Sequence, residues 1–237
     1  MTGNTSPPRS LALIHTVTGL VPTFEDLVRR HLPQWHPFNI VDESLLRNAI
    51  RDGQLTPQIG QRVARYIWSA VDAGAEAILV TCSSIGAAVD VARPFCPVPL
   101  MRVDRGMAEE AIRIGRRIGL LATLSTTLEP TRDLLLSRAA GMERSPVISS
   151  RVCKGAFEAL SNGDRGGHDA IVRREIARLA ADVDVIVLAQ ASMARVLEGT
   201  DAPTIDIPVL SSPELGVISL KNELDNLDAP EKGINSH

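Results

Sequence analysis

The sequence predicts an α/β protein of two pseudo-symmetric lobes, each a parallel sheet flanked by helices, with the active site in the cleft between them. Three observations lead there. Short continuous apolar runs, such as Ala77-Ile78-Leu79-Val80 and Val185-Ile186-Val187-Leu188, lack the alternation of a half-solvated strand and suit strands covered on both faces. These runs alternate with segments of helical apolar spacing, the order that gives parallel sheets. The second half of the chain then repeats the plan of the first.

In order, Met1 to Pro8 is polar and Pro-rich and reads as a loose tail. Leu11 to His15 is the first strand, Thr16-Val17-Thr18-Gly19 its turn, and Pro22 suits the first turn of a helix running to His31 (Phe24, Leu27 and Val28 on one face). Phe38 to Asp42 is the second strand. Gln58 to Asp72 is an amphipathic helix closed by Gly74, followed by the strand Ala77–Val80, a helix opened by Gly86-Ala87-Ala88 and ending near Arg93-Pro94, and a strand over 98–103. The second half supplies a strand over Arg116–Ala122, the polar turn Ser125-Thr126-Thr127, and a helix from Leu128 to about Ala140. A strand over Val147–Val152, a helix over Ile171–Ala181, and strands over Asp184–Leu188 and Ile207–Leu210 follow. The first lobe is expected over 9–106 with 213–226 added, the second over 107–212, and loose tails over 1–8 and 227–237.

Composition narrows the function classes. Aromatics make up only 3% of the 237 residues against 44% hydrophobic content. The cores must therefore be built from Ala, Val, Leu and Ile, which suits α/β layers better than a nucleic-acid stacking surface. A net charge of −3 and a pI near 6.0 leave no basic footprint, so no nucleic acid is expected as a partner. Cys82, Cys96 and Cys153 fit neither a disulfide framework nor a C-x-x-C zinc site. No 18-residue apolar run and no signal-peptide pattern is present, so the expectation is no membrane and a cytoplasmic location. Gly163 to Gly167 lacks the Lys-Ser/Thr ending of a phosphate loop, and Asp90 and Asp104 make no persuasive metal site; neither nucleotide nor metal is expected.

Cys82 stands at the carboxyl end of its strand, where parallel sheets place ligands, with Thr81, Ser83 and Ser84 beside it. The helix that follows offers unpaired N–H groups and a partial positive charge, favouring a thiolate and a bound carboxylate alike. On these residues alone the alternative is a buried thiol acting as a small hydrophobe. The repeat sharpens the choice. An offset of 108 lays Leu20, Pro22 and Thr23 on Leu128, Pro130 and Thr131, Ile78-Leu79-Val80 on Ile186-Val187-Leu188, Cys82 on Gln190, and Ser84 on Ser192. Cys82 would then face Gln190 across the cleft.

Thr81-Cys82-Ser83-Ser84, Thr126-Thr127-Leu128-Glu129-Pro130-Thr131 and Val187-Leu188-Ala189-Gln190-Ala191-Ser192 fall in that order along the chain. So do Gly155 to Leu160, Gly163-Asp164, His168-Asp169 and Pro208 to Pro213. With these motifs the sequence resembles the aspartate/glutamate racemase superfamily, which includes hydantoin racemases, maleate isomerases and arylmalonate decarboxylases. The resemblance implies a cofactor-independent racemase or isomerase that moves a proton at the carbon α to a carboxylate of a small-molecule substrate, working as a homodimer. Cys82 matches the first catalytic thiol, which the helix N-terminus would bring toward neutrality. Ser83, Ser84, Thr126 and Thr127 match carboxylate-holding positions. Gln190 stands where the family usually has a second Cys, and an amide cannot exchange a proton near neutral pH. A one-thiol decarboxylase or lyase of the arylmalonate kind, and a non-catalytic carboxylate-binding protein, are the alternatives this raises. Cys153 is a candidate for the missing thiol, and Gln190 and Ser192 would shape the opposite wall. His15 is either a cleft ligand or a hydrogen-bonded strand-end residue. His168-Asp169 reads as the start of a helix with Asp169 serving its first turn. Arg102, Arg105, Arg113, Arg116 and Arg117 read as a solvated face from which one Arg can reach a carboxylate.

Overall fold

Alternate residues of the central strands feed two different cores, which is why those strands read as unbroken apolar runs. In β1 (Arg9–His15), Leu11 and Leu13 enter one core with Phe24, Leu27 and Val28, while Ala12 and Ile14 enter another with Ile59, Val63 and Ile67. All three helical partners of each set come from one stripe, so α1 (Val21–His31) covers one face of the sheet and α3 (Pro57–Asp72) the other. The structure, a computed structural model, describes residues 9–197 and 205–229; the expected loose tail at 1–8 and all but the first residues of the one at 227–237 lie outside them.

The first sheet has the order β2-β1-β3-β4, with β2 at Trp35–Val41, β3 at Ala77–Val80 and β4 at Leu100–Arg102, and every pairing is parallel. The second has the order β6-β5-β7-β8, with β5 at Arg117–Ala122, β6 at Val147–Val152, β7 at Val185–Leu188 and β8 at Val209–Ser211, again all parallel. The two sheets thus share one topology, as the repeat implied. Pairing also refines the register. Ile14 pairs with Val80 as Leu121 pairs with Leu188, so the first strands of the lobes are related by 107 residues and the thiol-bearing strands by 108.

Several helices were not legible in the sequence reading. Asp42, placed there in a strand, caps α2 (Glu43–Asp52) by accepting the Ser44 N–H at 2.9 Å. α5 (Arg105–Ile114) turns Met107, Ala108, Ala111 and Ile112 into the second lobe's core; of the arginine run it carries Arg105 and Arg113, while Arg102 ends β4 and Arg117 opens β5. α4 spans Gly86–Ala92. α6 (Ser125–Gly141) starts three residues earlier than the sequence suggests, so Ser125-Thr126-Thr127 is its first turn, with Pro130 tolerated near the start. α7 (Ala156–Ser161) precedes α8 (Arg165–Ala180), which Asp164 caps through the Gly167 N–H. His168-Asp169 therefore sits inside α8, and α9 (Ser212–Asp228) runs two residues past the expected end of order at Asn226, packing Val217, Leu220 and Leu224 into the first lobe. Among the described residues no helix is long and apolar enough to cross a membrane.

Candidate active site

The ends of four central strands meet at one partly open pocket of about 160 Å³. Thr16 and Val17 follow β1, Cys82, Ser83 and Ser84 follow β3, Leu124 follows β5, and Gln190, Ala191 and Ser192 follow β7. Thr127 from the first turn of α6 adds a further hydroxyl. Leu20, Leu46 from α2, and Phe157 and Leu160 from α7 give the pocket an apolar wall. None of the described residues lining it is charged. A larger groove of about 690 Å³ between α3 and α4 holds no titratable side chain and is walled by Gly60, Ala64, Trp68, Val91 and Phe95 among others.

Cys82 is the N-cap of a short 3-10 turn (Ser83–Ile85) that leads into α4, and its side chain is partly open to the pocket. Burial pushes its pKa up; the Thr16 hydroxyl, the backbone N–H groups of Ser84 and Ile85 and the Ser84 hydroxyl oppose that rise without cancelling it. The expectation of a thiol drawn toward neutrality is therefore corrected: desolvation outweighs the short helix start, and Cys82 keeps its proton at neutral pH. Thr16 Oγ1 lies near the thiol without forming a hydrogen bond of ordinary geometry. With Ser83 Oγ it is a buried hydroxyl lacking a partner among the described residues.

Gln190 occupies the equivalent place in the second lobe. Its Oε1 accepts the Thr123 N–H at 2.6 Å and the Thr123 hydroxyl at 3.0 Å, and its Nε2 donates to Thr123 Oγ1 at 2.8 Å, so the amide is folded onto the end of β5. On the refined register Thr123 is the counterpart of Thr16, making Thr16–Cys82 and Thr123–Gln190 the same arrangement with different chemistry. Thr16 escaped the sequence reading because a single 108-residue offset lays His15 on Thr123.

The remaining candidates divide. Ser83, Ser84, Thr127, Gln190 and Ser192 line the pocket with Cys82. The Ser84 and Thr127 hydroxyls bond each other at 2.8 Å, tying the lobes together beside the thiol. Thr126 does not line the pocket: neighbouring helical residues point about 100° apart, and Thr127 takes the inward direction. His15 also stands back, fully buried behind Thr81. Asn39 Nδ2 donates to Glu25 at 2.8 Å, leaving Asn39 Oδ1 to accept His15 Nε2–H at 3.0 Å, while the Thr81 hydroxyl is shared between His15 Nδ1 at 2.9 Å and the Ile14 carbonyl at 3.2 Å. Burial lowers the His15 pKa, with Asn39 and Glu25 only partly opposing, so this neutral tautomer persists. Cys153 lies in the core with Leu121, Val172 and Ile176, its pKa pushed up to about 12 by burial and then by Glu175, and it does not reach the pocket. His168 Nδ1 donates to Asp169 at 2.7 Å, and Asp169 accepts Arg195 Nη2 at 2.7 Å; the pair anchors the segment that carries Ser192.

Arg102 is the main correction to the solvated-face reading. It is 2% exposed and each of its three nitrogens donates to a carboxylate: Nε and Nη2 to Asp104 at 2.7 and 2.9 Å, and Nη1 to Asp90 at 2.6 Å. Burial works against the charge, but Asp104 and Asp90 outweigh it and hold the pKa above its ordinary value. The guanidinium lies against Gly86, where any Cβ would overlap it. Gly86→Ala is accordingly expected to cost about 2 kcal/mol by overpacking, read as a lower urea midpoint at unchanged m.

Fold and site together define a pseudo-symmetric, two-lobed α/β protein whose interlobe pocket carries one cysteine. A family model described as Asp/Glu/Hydantoin racemase matches residues 14–220, and the chain belongs to that family. A comparison with curated protein sequences finds no match. Solved structures share the fold at low identity. A glutamate racemase isoform from Bacillus anthracis is 18% identical over 97% of this chain and 86% of that one, with a TM-score of 0.69. An allantoin racemase from Klebsiella pneumoniae is 18% identical over 97% and 96%, with a TM-score of 0.67. A glutamate racemase from Francisella tularensis is 14% identical over 96% and 86%, with a TM-score of 0.73.

Proposed function

We propose that this chain is a cofactor-independent enzyme of racemase or isomerase type that moves a proton at the carbon α to a carboxylate of a small substrate, with Cys82 as the acid/base. The observation that carries the reading is the placement of Cys82: a thiol lining a partly open pocket at a strand end, ringed by hydroxyls and backbone N–H groups. The unpartnered Thr16 and Ser83 hydroxyls are donors for a carboxylate oxygen, whose charge grows as the α-carbon loses a substituent. The apolar wall of Leu20, Leu46, Leu124, Phe157 and Leu160 supports a substrate with an apolar group opposite its carboxylate.

Two observations favour a second reading, a one-thiol decarboxylase or lyase. Gln190 is locked on Thr123 and cannot return a proton from the opposite face, and the raised Cys82 pKa suits a thiol that donates. In that step the bond to a departing carboxylate breaks, its electron pair stays on the α-carbon, and the Cys82 S–H proton moves there; water then reprotonates the thiolate.

Proton NMR in deuterium oxide, with 2-substituted carboxylates and malonates, separates the readings. Deuterium entering with inversion supports the racemase, and carbon dioxide release the one-thiol alternative. Neither reaction, with Cys82 alkylation unaffected by every ligand, sinks both and leaves a non-catalytic role. The pH profile adds a sign. A thiol acting as base gains rate about tenfold per pH unit up to a pKa above the ordinary value of about 8.5, whereas a thiol acting as acid keeps a level rate until that pKa and then loses it.

A further inference from the structure

Two arginines from different lobes share a second cavity and carry buried guanidinium donors without a partner among the described residues. Arg93, in the 3-10 turn Arg93–Phe95 after α4, and Arg138, near the end of α6, line a cavity of about 420 Å³ together with Asp90, Arg102 and Asp133. Arg102 is fully engaged by Asp104 and Asp90. Arg93 and Arg138 are not: their nearest carboxylate oxygens, Asp90 Oδ1 and Glu109 Oε1, stand 3.7 Å away. Arg93 Nε and Nη2 and Arg138 Nε are buried with no acceptor among the described residues. By contrast Arg105, Arg117 and Arg195 each donate to a carboxylate at 2.9 Å or less; among the described residues Arg173 Nε is the other buried guanidinium donor without a partner, and it does not line this cavity. Buried donors left unpaired are costly, and charged ones most of all. Burial, then the like charges of Arg105 and Arg138, lower the Arg93 pKa, a field that an anion relieves.

We propose that this interlobe cavity binds a small tetrahedral oxyanion of phosphate type, either free phosphate or the phosphate group of a monoester, with Arg93 and Arg138 as its ligands. Guanidinium donors match the oxygen spacing of such a group. Asp133, which shares the cavity, favours an oxyanion that keeps a proton near neutral pH and can donate it, as phosphate does. The ligand would bridge the lobes, because Arg93 follows α4 in the first and Asp133 and Arg138 come from α6 in the second; the turn before α4 and the first turn of α6 also meet beside Cys82 through Ser84 and Thr127.

Thermal unfolding of the full chain at constant ionic strength tests this. Sodium phosphate at about ten times its Kd is expected to raise Tm by about 4 °C over sodium chloride. Arg93→Gln and Arg138→Gln are each expected to weaken phosphate binding about tenfold, with a phosphorus NMR titration as the direct readout. Their Tm in chloride is expected to stay at the wild-type value, since neither removes a formed hydrogen bond. Methyl phosphate binding as well as free phosphate assigns the site to monoesters; binding of phosphate alone assigns it to the free ion. A phosphate shift no larger than that of chloride, or one that persists in the double variant, overturns the proposal.

Discussion

Cys82→Ala is expected to lower α-proton exchange, or carbon dioxide release, by about 10³-fold, because no other group in the pocket can take over. The remaining polar lining is hydroxyl or amide, and Thr16, Thr81, Ser83, Ser84, Thr127, Gln190 and Ser192 all titrate far outside the neutral range. His15 has the right chemistry but both ring nitrogens are engaged, one with Asn39 and one with Thr81, and it lies outside the pocket lining. Cys153 is sealed in a core with its pKa pushed up to about 12. The substitution removes one sulfur from a partly exposed position, so its cost in stability is expected to be about 1 kcal/mol or less. A denaturant melt run beside the NMR assay checks that the loss is chemical. Cys82→Ser is the sharper control: it keeps the size and a hydrogen-bonding atom but not the acidity, and is expected to lie within about tenfold of Cys82→Ala. Retention of more than a tenth of the wild-type rate by Cys82→Ala would place the proton carrier elsewhere.

How far the sequence foretold this site depends on which residues are asked about. The β3 and β7 runs announced themselves, since four consecutive apolar residues between turn signals suit a strand covered on both faces, and the polar corner after each located Cys82 and Gln190. Ser83, Ser84 and Ser192 followed from the same corners, whereas Thr127 came only with the family resemblance. The errors came from single-residue phase. A one-residue difference in offset between the β1/β5 and β3/β7 pairs hid Thr16, and a helix start three residues early separated Thr126 from Thr127. Leu46 was invisible because α2 opens with polar Glu43-Ser44 after Asp42, a cap that a strand assignment had absorbed. The raised Cys82 pKa was beyond the sequence altogether. Local order at a helix start argues for a thiolate, and only the three-dimensional packing of both lobes supplies the desolvation that wins.

Arg102 shows the same limit in a charged residue, and its replacement carries the largest expected effect on stability. Arg102→Met is expected to destabilise the protein by about 3–5 kcal/mol, because it leaves Asp104, which is 0% exposed, as a buried carboxylate without its cation. For a chain of this length that corresponds to a fall in Tm of about 12 °C. Met fills much of the vacated volume, so the loss reports charge and not packing. Arg102→Met combined with Asp104→Asn is therefore expected to recover more than half of the loss, since the amide is far cheaper to bury than the carboxylate. The guanidinium's own contribution to the wild type should not change between pH 6 and 9. A group whose folded pKa is raised contributes stability at every pH below its unfolded pKa of about 12.5 or more, and loses it only above. The guanidinium also abuts Gly86 at the first residue of α4, directly after the N–H groups of Ser84 and Ile85 that face Cys82. Loosening it weakens their hold on the thiolate, so iodoacetamide should react more slowly with folded Arg102→Met at pH 8 than with the wild type. A double variant as unstable as Arg102→Met alone would mean that Arg102 acts by shape, and an unchanged alkylation rate would uncouple this buttress from the site.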